Sequence, residues 1–259
     1  MLDVTKPIAV FDSGVGGIST LKVLTEMLPH EDFIFFGDSA NAPYGEKSRE
    51  LVFKLADQVV QQLIAKDVKS IVIACNTATS AAKPVLMEKH PQLPILGIEP
   101  ALKEAVDAGK QNILVLATPL TIHSPKYQAQ QARFIDQANI YSLPCPGLAD
   151  LIEGGTENIT QIKSYLTKLL TFPQREQIDA IVLGCTHYPF VAKLIQQQFA
   201  QSPEIYTGYT GLGNNLKHQL AKRHLLRTDQ VKQNIEFMSS KHEPAELTLY
   251  QQLFDYGLD

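Results

Sequence analysis

SIVIACNTATS, residues 70–80, is an apolar run that ends in a cysteine and passes into a polar turn. AIVLGCTHYPF, residues 180–190, repeats that order: an apolar run, a small residue, a cysteine, and a threonine within two positions. Short apolar runs bounded by turn-forming residues are typical of strands that are covered on both faces. The two stretches therefore predict two buried strands, each followed by a loop that carries a thiol.

Similar apolar runs recur along the chain, with helical spacing between them. The predicted strands are residues 8–12, 33–38, 70–75, 94–98, 112–117, 140–144, 180–185, 204–208 and 234–238. Between two of them, Leu51, Leu55, Val59 and Leu63 recur at the four-residue interval of a helix. This alternation predicts an α/β fold with mostly parallel sheets.

A second internal echo indicates that the fold is built twice. AVFDSGVGGIS at residues 9–19 and LVLATPLTIHS at residues 114–124 both run from an apolar strand into a small and polar turn. We predict two similar α/β domains related by pseudo-symmetry, with the active site in the cleft between them. Residues 1–98 plus 209–259 form the first predicted domain, and residues 99–208 form the second.

Composition and charge exclude several classes of protein. Hydrophobic residues at 44% and charged residues at 19% are typical of a soluble globular chain. No apolar run approaches the roughly 18 residues of a membrane span, and the N-terminus lacks the pattern of a signal peptide. The net charge of -4 predicts no general attraction to nucleic acid or to anionic membranes. We therefore expect a cytoplasmic protein without a nucleic-acid or membrane partner.

The three cysteines do not suggest a disulfide framework in such a chain. Cys75 and Cys185 each end an apolar strand and precede a helix, where free N–H groups and the helix dipole favour a thiolate with a depressed pKa. Two thiols that face one small substrate can remove a proton from one side and deliver a proton to the other. Cys145, between Pro144 and Pro146, is instead interpreted as a buried structural thiol.

Other interpretations of these residues are weaker. Cys185 and His187 could begin a metal site, but no further ligand pattern completes one, so no metal is predicted. A cysteine nucleophile with His187 as its base is chemically reasonable, although it does not require two cysteine loops. Gly14 and Gly16 follow a strand as in a dinucleotide-binding loop, but Ser19 replaces the third glycine. A phosphate-binding loop therefore stays a minor alternative.

Four blocks of the sequence resemble the signature blocks of bacterial glutamate racemase. These blocks are FDSGVGG at 11–17, GDSANAPYGEKS at 37–48, IACNTAT at 73–79 and LGCTHYP at 183–189. Weaker blocks follow in the same order, namely GIEPA at 97–101, ATPLTIHSPKY at 117–127 and PCPGLADLIEGG at 144–155. The resemblance ends near residue 190: where many members have an Asp-Ser strand end, residues 205–209 read IYTGY.

The resemblance implies an isomerase that interconverts L- and D-glutamate without a cofactor and supplies D-glutamate for peptidoglycan. It implies that Cys75 and Cys185 are the two bases, with Cys75 acting on D-glutamate and Cys185 on L-glutamate. It also implies that Asp12, His187 and Glu153 assist them. The implied substrate-binding residues are Asp12, Ser13, Pro43, Tyr44, Gly45, Asn76, Thr77, Thr121, Thr186 and His187. The oligomeric state is left open, with a homodimer as one alternative.

Several of these residues also have a purely structural interpretation. Asp12 could cap the first helix, and Thr121 could cap a later one. Tyr44 could cover the edge of the core, and Glu153 could be an ordinary exposed carboxylate. At the level of function, the alternatives are a racemase for aspartate or another acidic amino acid, and an amino-acid-binding relative without catalytic activity.

Overall fold

The computed structural model describes residues 3–172 and 177–256. The ends of the first predicted domain, residues 1–2 and 257–259, and residues 173–176 of the second lie outside the described residues.

Within the described ranges, nine strands form two sheets in which every paired strand is parallel. The first sheet has, in spatial order, β4 (Ile95–Gly97), β3 (Ser70–Ile73), β1 (Ile8–Asp12), β2 (Phe33–Gly37) and β9 (Ile235–Ser239). The second has β6 (Asn139–Pro144), β5 (Asn112–Ala117), β7 (Ala180–Gly184) and β8 (Glu204–Tyr206). The predicted α/β fold with parallel sheets is confirmed, and each predicted run contains a strand.

The two sheets repeat one topology. The order β4-β3-β1-β2 of the first sheet corresponds to the order β8-β7-β5-β6 of the second. In this correspondence β1 matches β5 and β3 matches β7, which are the strands that carry the two sequence echoes. The echoes therefore reflect a repeated arrangement of strands, as the prediction of pseudo-symmetry requires.

Helices connect the strands within each repeat. They are α1 (Gly17–Met27), α2 (Arg49–Ala65), α3 (Asn76–Lys89), α4 (Leu102–Asp107), α5 (Pro119–Ile122), α6 (Pro125–Ala132), α7 (Leu148–Glu153), α8 (Ile159–Leu169), α9 (Ala192–Gln196), α10 (Tyr209–Lys222) and α11 (Pro244–Tyr256). Short 3-10 helices lie at Ser39–Asn41, Gly155–Asn158 and Tyr188–Val191. Helix α2 was predicted correctly, but its buried face centres on Val52, Ala56 and Val60, and Leu51 is 43% exposed.

Each sheet is covered on both faces. In β1, Ala9 and Phe11 pack into one apolar cluster, whereas Ile8 and Val10 pack into another on the opposite face. Alternate residues of β5 divide in the same way between two clusters. Burial on both faces explains why the strands read as continuous apolar runs rather than as alternating ones. No helix in the described part of the chain is both long and apolar enough to cross a membrane.

Candidate active site

The carboxyl ends of the first sheet bring three polar positions together. Asp12 is the last residue of β1, Asp38 follows β2, and Cys75 lies two residues beyond β3. Asp12 pairs with Gly37 in the ladder, and the Asp38 N–H donates to the Asp12 carbonyl at 2.9 Å. In parallel α/β sheets, ligands bind at this edge.

The second sheet presents the corresponding edge. Thr118 follows β5, Cys145 follows β6 and Cys185 follows β7. The three strands end level with one another, because Ala117 pairs with both Pro144 and Gly184. Since β7 matches β3 in the repeat, Cys185 holds the position on the second sheet that Cys75 holds on the first.

Hydrogen bonds join the two edges. The Thr186 hydroxyl donates to Asp12 Oδ2 at 3.0 Å, and the hydroxyls of Thr77 and Thr118 lie 2.9 Å apart. Cys75 is 5% exposed and Cys185 is 7% exposed. The site therefore lies in the cleft between the two halves, as predicted, and protein covers both thiols.

Cys75 begins a hydrogen-bonded chain that ends in a carboxylate. Its thiol donates to Ser13 Oγ at 3.6 Å, and the Ser13 hydroxyl donates to Asp12 Oδ1 at 3.4 Å. Cys75 is also the N-cap of α3, where its sulfur accepts the Ala78 N–H at 3.4 Å. The predicted position of this thiol at a helix N-terminus is confirmed.

The predicted depression of the cysteine pKa is wrong for Cys75. Burial, with the negative charge of Asp12 as the next cause, raises the pKa of the Cys75 thiol to about 12. The hydrogen bonds from Ala78 and with Ser13 act in the opposite direction but are outweighed. The free energy needed to remove a thiolate from water exceeds the stabilisation that one helix N-terminus provides.

Cys185 begins a second chain, through an imidazole. Its sulfur lies 3.7 Å from His187 Nδ1, and His187 Nε2 lies 2.5 Å from Glu153 Oε1. The prediction that Cys185 precedes a helix like that of Cys75 is wrong, because a turn and the four-residue 3-10 helix Tyr188–Val191 follow it. So short a helix has little dipole, and His187 is the nearer source of positive charge.

His187 and Glu153 form an ion pair in which the imidazole is buried and the carboxylate is partly buried. Burial alone would lower the pKa of His187, but its hydrogen bonds with Cys185 and Glu153 raise that pKa well above the ordinary value. Burial would raise the pKa of Glu153, yet the hydrogen bond and the charge of His187 hold it below its ordinary value. Burial raises the pKa of Asp12, against the lowering effects of His187, Gly14 and Thr186.

The structure distinguishes the functional from the purely structural interpretation of four candidate residues. Asp12 does not cap α1, whose N-cap is Gly16. Thr121 caps no helix, since Thr118 caps α5. The side chain of Glu153 is only 21% exposed and binds His187. Tyr44 does lie in the core, but its hydroxyl also donates to Asp38 Oδ2 at 2.5 Å.

The predicted substrate-binding residues lie on the facing edges. Ser13, Asn76 and Thr77 follow strands of the first sheet, Thr186 follows β7, and residues 43–45 lie on the loop after β2. The Asn76 side-chain nitrogen is buried and has no hydrogen-bond partner within the described ranges. An unpaired buried donor of this kind suits a ligand with an acceptor group.

Thr118 is a site residue that the sequence analysis did not single out. Its hydroxyl bonds both Thr77 across the cleft and Thr121 in its own helix, at 2.9 Å and 3.0 Å. Its position directly after an apolar strand, like that of Cys75 and Cys185, was the signal that could have identified it.

Cys145 lies apart from both hydrogen-bonded chains. It is 1% exposed, its thiol donates to the Leu143 carbonyl at 3.4 Å, and burial raises its pKa to about 12. Across the described part of the chain, no group of three or more His, Cys, Asp or Glu residues is arranged to hold a metal ion.

Known proteins are similar to this chain in sequence and in fold. The pattern of the Asp/Glu/Hydantoin racemase family matches residues 19–208. The glutamate racemase of Clostridium novyi (strain NT) is 42% identical over 248 residues, 95% of this chain and 96% of the relative. That of Clostridium acetobutylicum is 43% identical over 250 residues, 96% and 97% of the two chains.

Solved structures agree. Glutamate racemase from Francisella tularensis, in complex with D-glutamate, superposes with a TM-score of 0.81 at 31% identity, covering 97% of this chain and 94% of that one. The Escherichia coli glutamate racemase, in complex with L-glutamate and an activator, gives a TM-score of 0.79 at 26% identity, covering 96% and 95%. This chain belongs to the Asp/Glu/Hydantoin racemase family.

Proposed function

We propose that this chain interconverts L- and D-glutamate without a cofactor, with Cys75 and Cys185 as its two bases. One observation carries the assignment of the bases: each thiol follows a matching strand of one of two facing sheets and begins its own chain to a carboxylate. D-Glutamate made in this way would supply peptidoglycan synthesis in the cytoplasm.

Inversion at the α-carbon needs a base on one face and an acid on the other. One thiolate removes the α-proton as the C–H bond breaks, and the opposing thiol gives its proton to the carbon from the other side. The raised pKa of Cys75 keeps that thiol protonated at neutral pH, so it is the acid of the free enzyme. His187, as an imidazolium, gives a thiolate at Cys185 a counter-charge.

This arrangement is ready for L-glutamate, since the resemblance assigns Cys185 to the L enantiomer and Cys75 to the D enantiomer. Turnover of D-glutamate begins from the opposite protonation state. The chains through Ser13 to Asp12 and through His187 to Glu153 are routes by which the two thiols can exchange protons with carboxylates.

The substrate would be held mainly by neutral groups. Ser13, Thr77, Thr121 and Thr186 bring hydroxyls to the cleft, and Asn76 brings an unpaired amide. Such donors and acceptors can bind two carboxylates and an ammonium group. Pro43, Tyr44 and Gly45 are the remaining proposed substrate-binding residues. Gly45 lies close to Thr118, because a Cβ added to Gly45 would be 2.9 Å from the Thr118 methyl group.

The test is a circular dichroism assay of the purified chain with no added cofactor. The signal of L-glutamate should decay to zero, and prior treatment with EDTA and with a carbonyl reagent against pyridoxal phosphate should leave the rate unchanged. L-Aspartate, assayed in parallel, should turn over far more slowly. A faster reaction with L-aspartate, or activity that returns only with a metal or pyridoxal phosphate, would refute the proposal.

A further inference from the structure

The segment at residues 205–209, which the resemblance leaves unexplained, contains the point where the chain returns to the first sheet. Gly208 has a φ of 79°, and a Cβ there would lie 2.6 Å from the Glu99 carbonyl oxygen. Only glycine tolerates both the left-handed backbone and this close approach. The chain leaves the first sheet near Glu99 and comes back to it near Gly208, and these two segments are therefore in direct contact.

Tyr209, the next residue, starts α10 and directs its phenol to α1. Its ring packs against the apolar cluster that contains Ile18 and Leu21, and its hydroxyl lies 2.7 Å from Ser19 Oγ. The Ser19 hydroxyl donates its one proton to the Gly16 carbonyl at 2.8 Å. Tyr209 is therefore the donor to Ser19.

Gly16 lies on the loop that joins the two edges of the cleft. A Cβ on Gly16 would lie 2.7 Å from Thr186 Oγ1, and that same hydroxyl donates to Asp12. Burial, and then the negative charges of Asp12 and Cys185, raise the pKa of the Tyr209 phenol. The phenol thus keeps its proton and lies within electrostatic range of both residues.

We infer that Tyr209 is a positioning residue: through Ser19 it holds the 13–17 loop against Thr186, and so sets where Ser13 and Asp12 meet the substrate. This inference rests on the proposed function. Without the phenol hydroxyl, Ser19 loses the donor that orients its own hydroxyl toward the Gly16 carbonyl, and the loop loosens at the point where the two halves meet. Binding of glutamate should suffer more than the chemical step.

Tyr209→Phe removes the hydroxyl and keeps the packed ring. Its KM for glutamate should rise about fivefold, the factor that one net hydrogen bond represents, with kcat changed less than twofold. Ser19→Ala should have the same effect, and the double variant should be no worse than either single one. Tyr127→Phe is the matched control, because it loses an equivalent hydroxyl pair with Ser142 on β6, and neither residue is among the proposed glutamate-binding residues; its KM should not change.

A second readout needs no turnover. Tyr209→Phe should increase the rate at which iodoacetamide labels Cys185, and Tyr127→Phe should not, even if both lower the melting temperature equally. An unchanged KM and labelling rate in Tyr209→Phe, or equal changes in Tyr127→Phe, would overturn the inference. If the wild-type chain does not racemise glutamate, the proposed function fails, and the labelling rates still decide the role of Tyr209.

Discussion

Cys75 and Cys185 have different partners although they occupy matching strands. Cys75 contacts a serine hydroxyl and a helix N–H, whereas Cys185 contacts an imidazole that is itself held by a carboxylate. A hydroxyl carries no charge, but an imidazolium does. The two thiols therefore have different electrostatic surroundings, which suits the proposed pairing of one acid with one base.

The ion pair of His187 and Glu153 should make stability depend on pH. The pKa of His187 is higher in the folded chain than its ordinary 6.5, so its contribution is fully present below about pH 6.5 and is lost as the pH rises through the folded value. The pKa of Glu153 is lower than its ordinary 4.5, so its contribution is present above about pH 4.5 and is lost as the pH falls through the folded value.

Glu153→Gln should therefore lower the free energy of unfolding by about 1–3 kcal/mol near pH 6, as expected for the loss of a charged hydrogen bond. The difference from wild type should shrink as the pH falls through the lowered folded-state pKa of Glu153, because the carboxyl is then protonated in both states. Urea unfolding at a series of pH values measures it. A difference that stays the same at every pH from 6 down to acid unfolding would show that the pair is not ionised in the folded chain.

At the scale of the secondary-structure elements, the loops after β3 and β5 meet across the cleft. Thr118 caps α5 through the Thr121 N–H at 3.3 Å and also reaches Thr77 at the start of α3. The Thr118 side chain thus both caps a helix and joins the two halves.

Thr118→Val should lower stability by about 1 kcal/mol, the usual cost of a lost N-cap, and should raise the KM for glutamate severalfold. Ser48→Ala is the control, since Ser48 caps α2 through the Leu51 N–H at 3.2 Å and is not among the proposed glutamate-binding residues. It should lower the melting temperature by a similar amount and leave KM unchanged. Equal KM values for Thr118→Val and wild type would mean that the bond to Thr77 has no part in binding.

The sequence predicted the elements better than it predicted their local electrostatics. Apolar runs located each strand of the described ranges, because strands buried on both faces leave a strong signal. The pKa of Cys75 could not be predicted, since it depends on how completely the folded chain buries the thiol and on its distance from Asp12. Thr118 was missed because its partner, Thr77, lies on the other sheet, and no spacing along the chain relates the two.

At the scale of the whole molecule, the two echoes were sufficient to predict a repeated fold, because matching strands carry matching turns. The contacts that join the halves, such as Thr186 with Asp12, could not be predicted from the sequence, since they depend on how the two sheets face each other. Both thiols are buried between the two halves. We therefore expect the halves to separate when substrate enters and to close over it, which excludes water.

Glutamate should accordingly protect the cleft. Saturating substrate should slow the alkylation of Cys75 and Cys185 by at least an order of magnitude and raise the melting temperature, because it binds only the folded chain. Cys145 lies apart from both hydrogen-bonded chains, so glutamate should not change its labelling rate. It is therefore the internal control within each digest. If the labelling of Cys75 and Cys185 is equally fast with and without glutamate, the halves do not close over the substrate.

The most direct test of the account is to compare Cys75→Ala, Cys185→Ala and Cys145→Ala. We expect Cys145→Ala to keep most of its activity, and each of the other two to lose racemisation in both directions, because inversion needs one thiol from each half. In deuterated water, the single remaining thiol should still exchange the α-proton of one enantiomer, D-glutamate for Cys185→Ala and L-glutamate for Cys75→Ala. Normal racemisation by Cys75→Ala or Cys185→Ala, together with an inactive Cys145→Ala, would contradict the two-thiol mechanism.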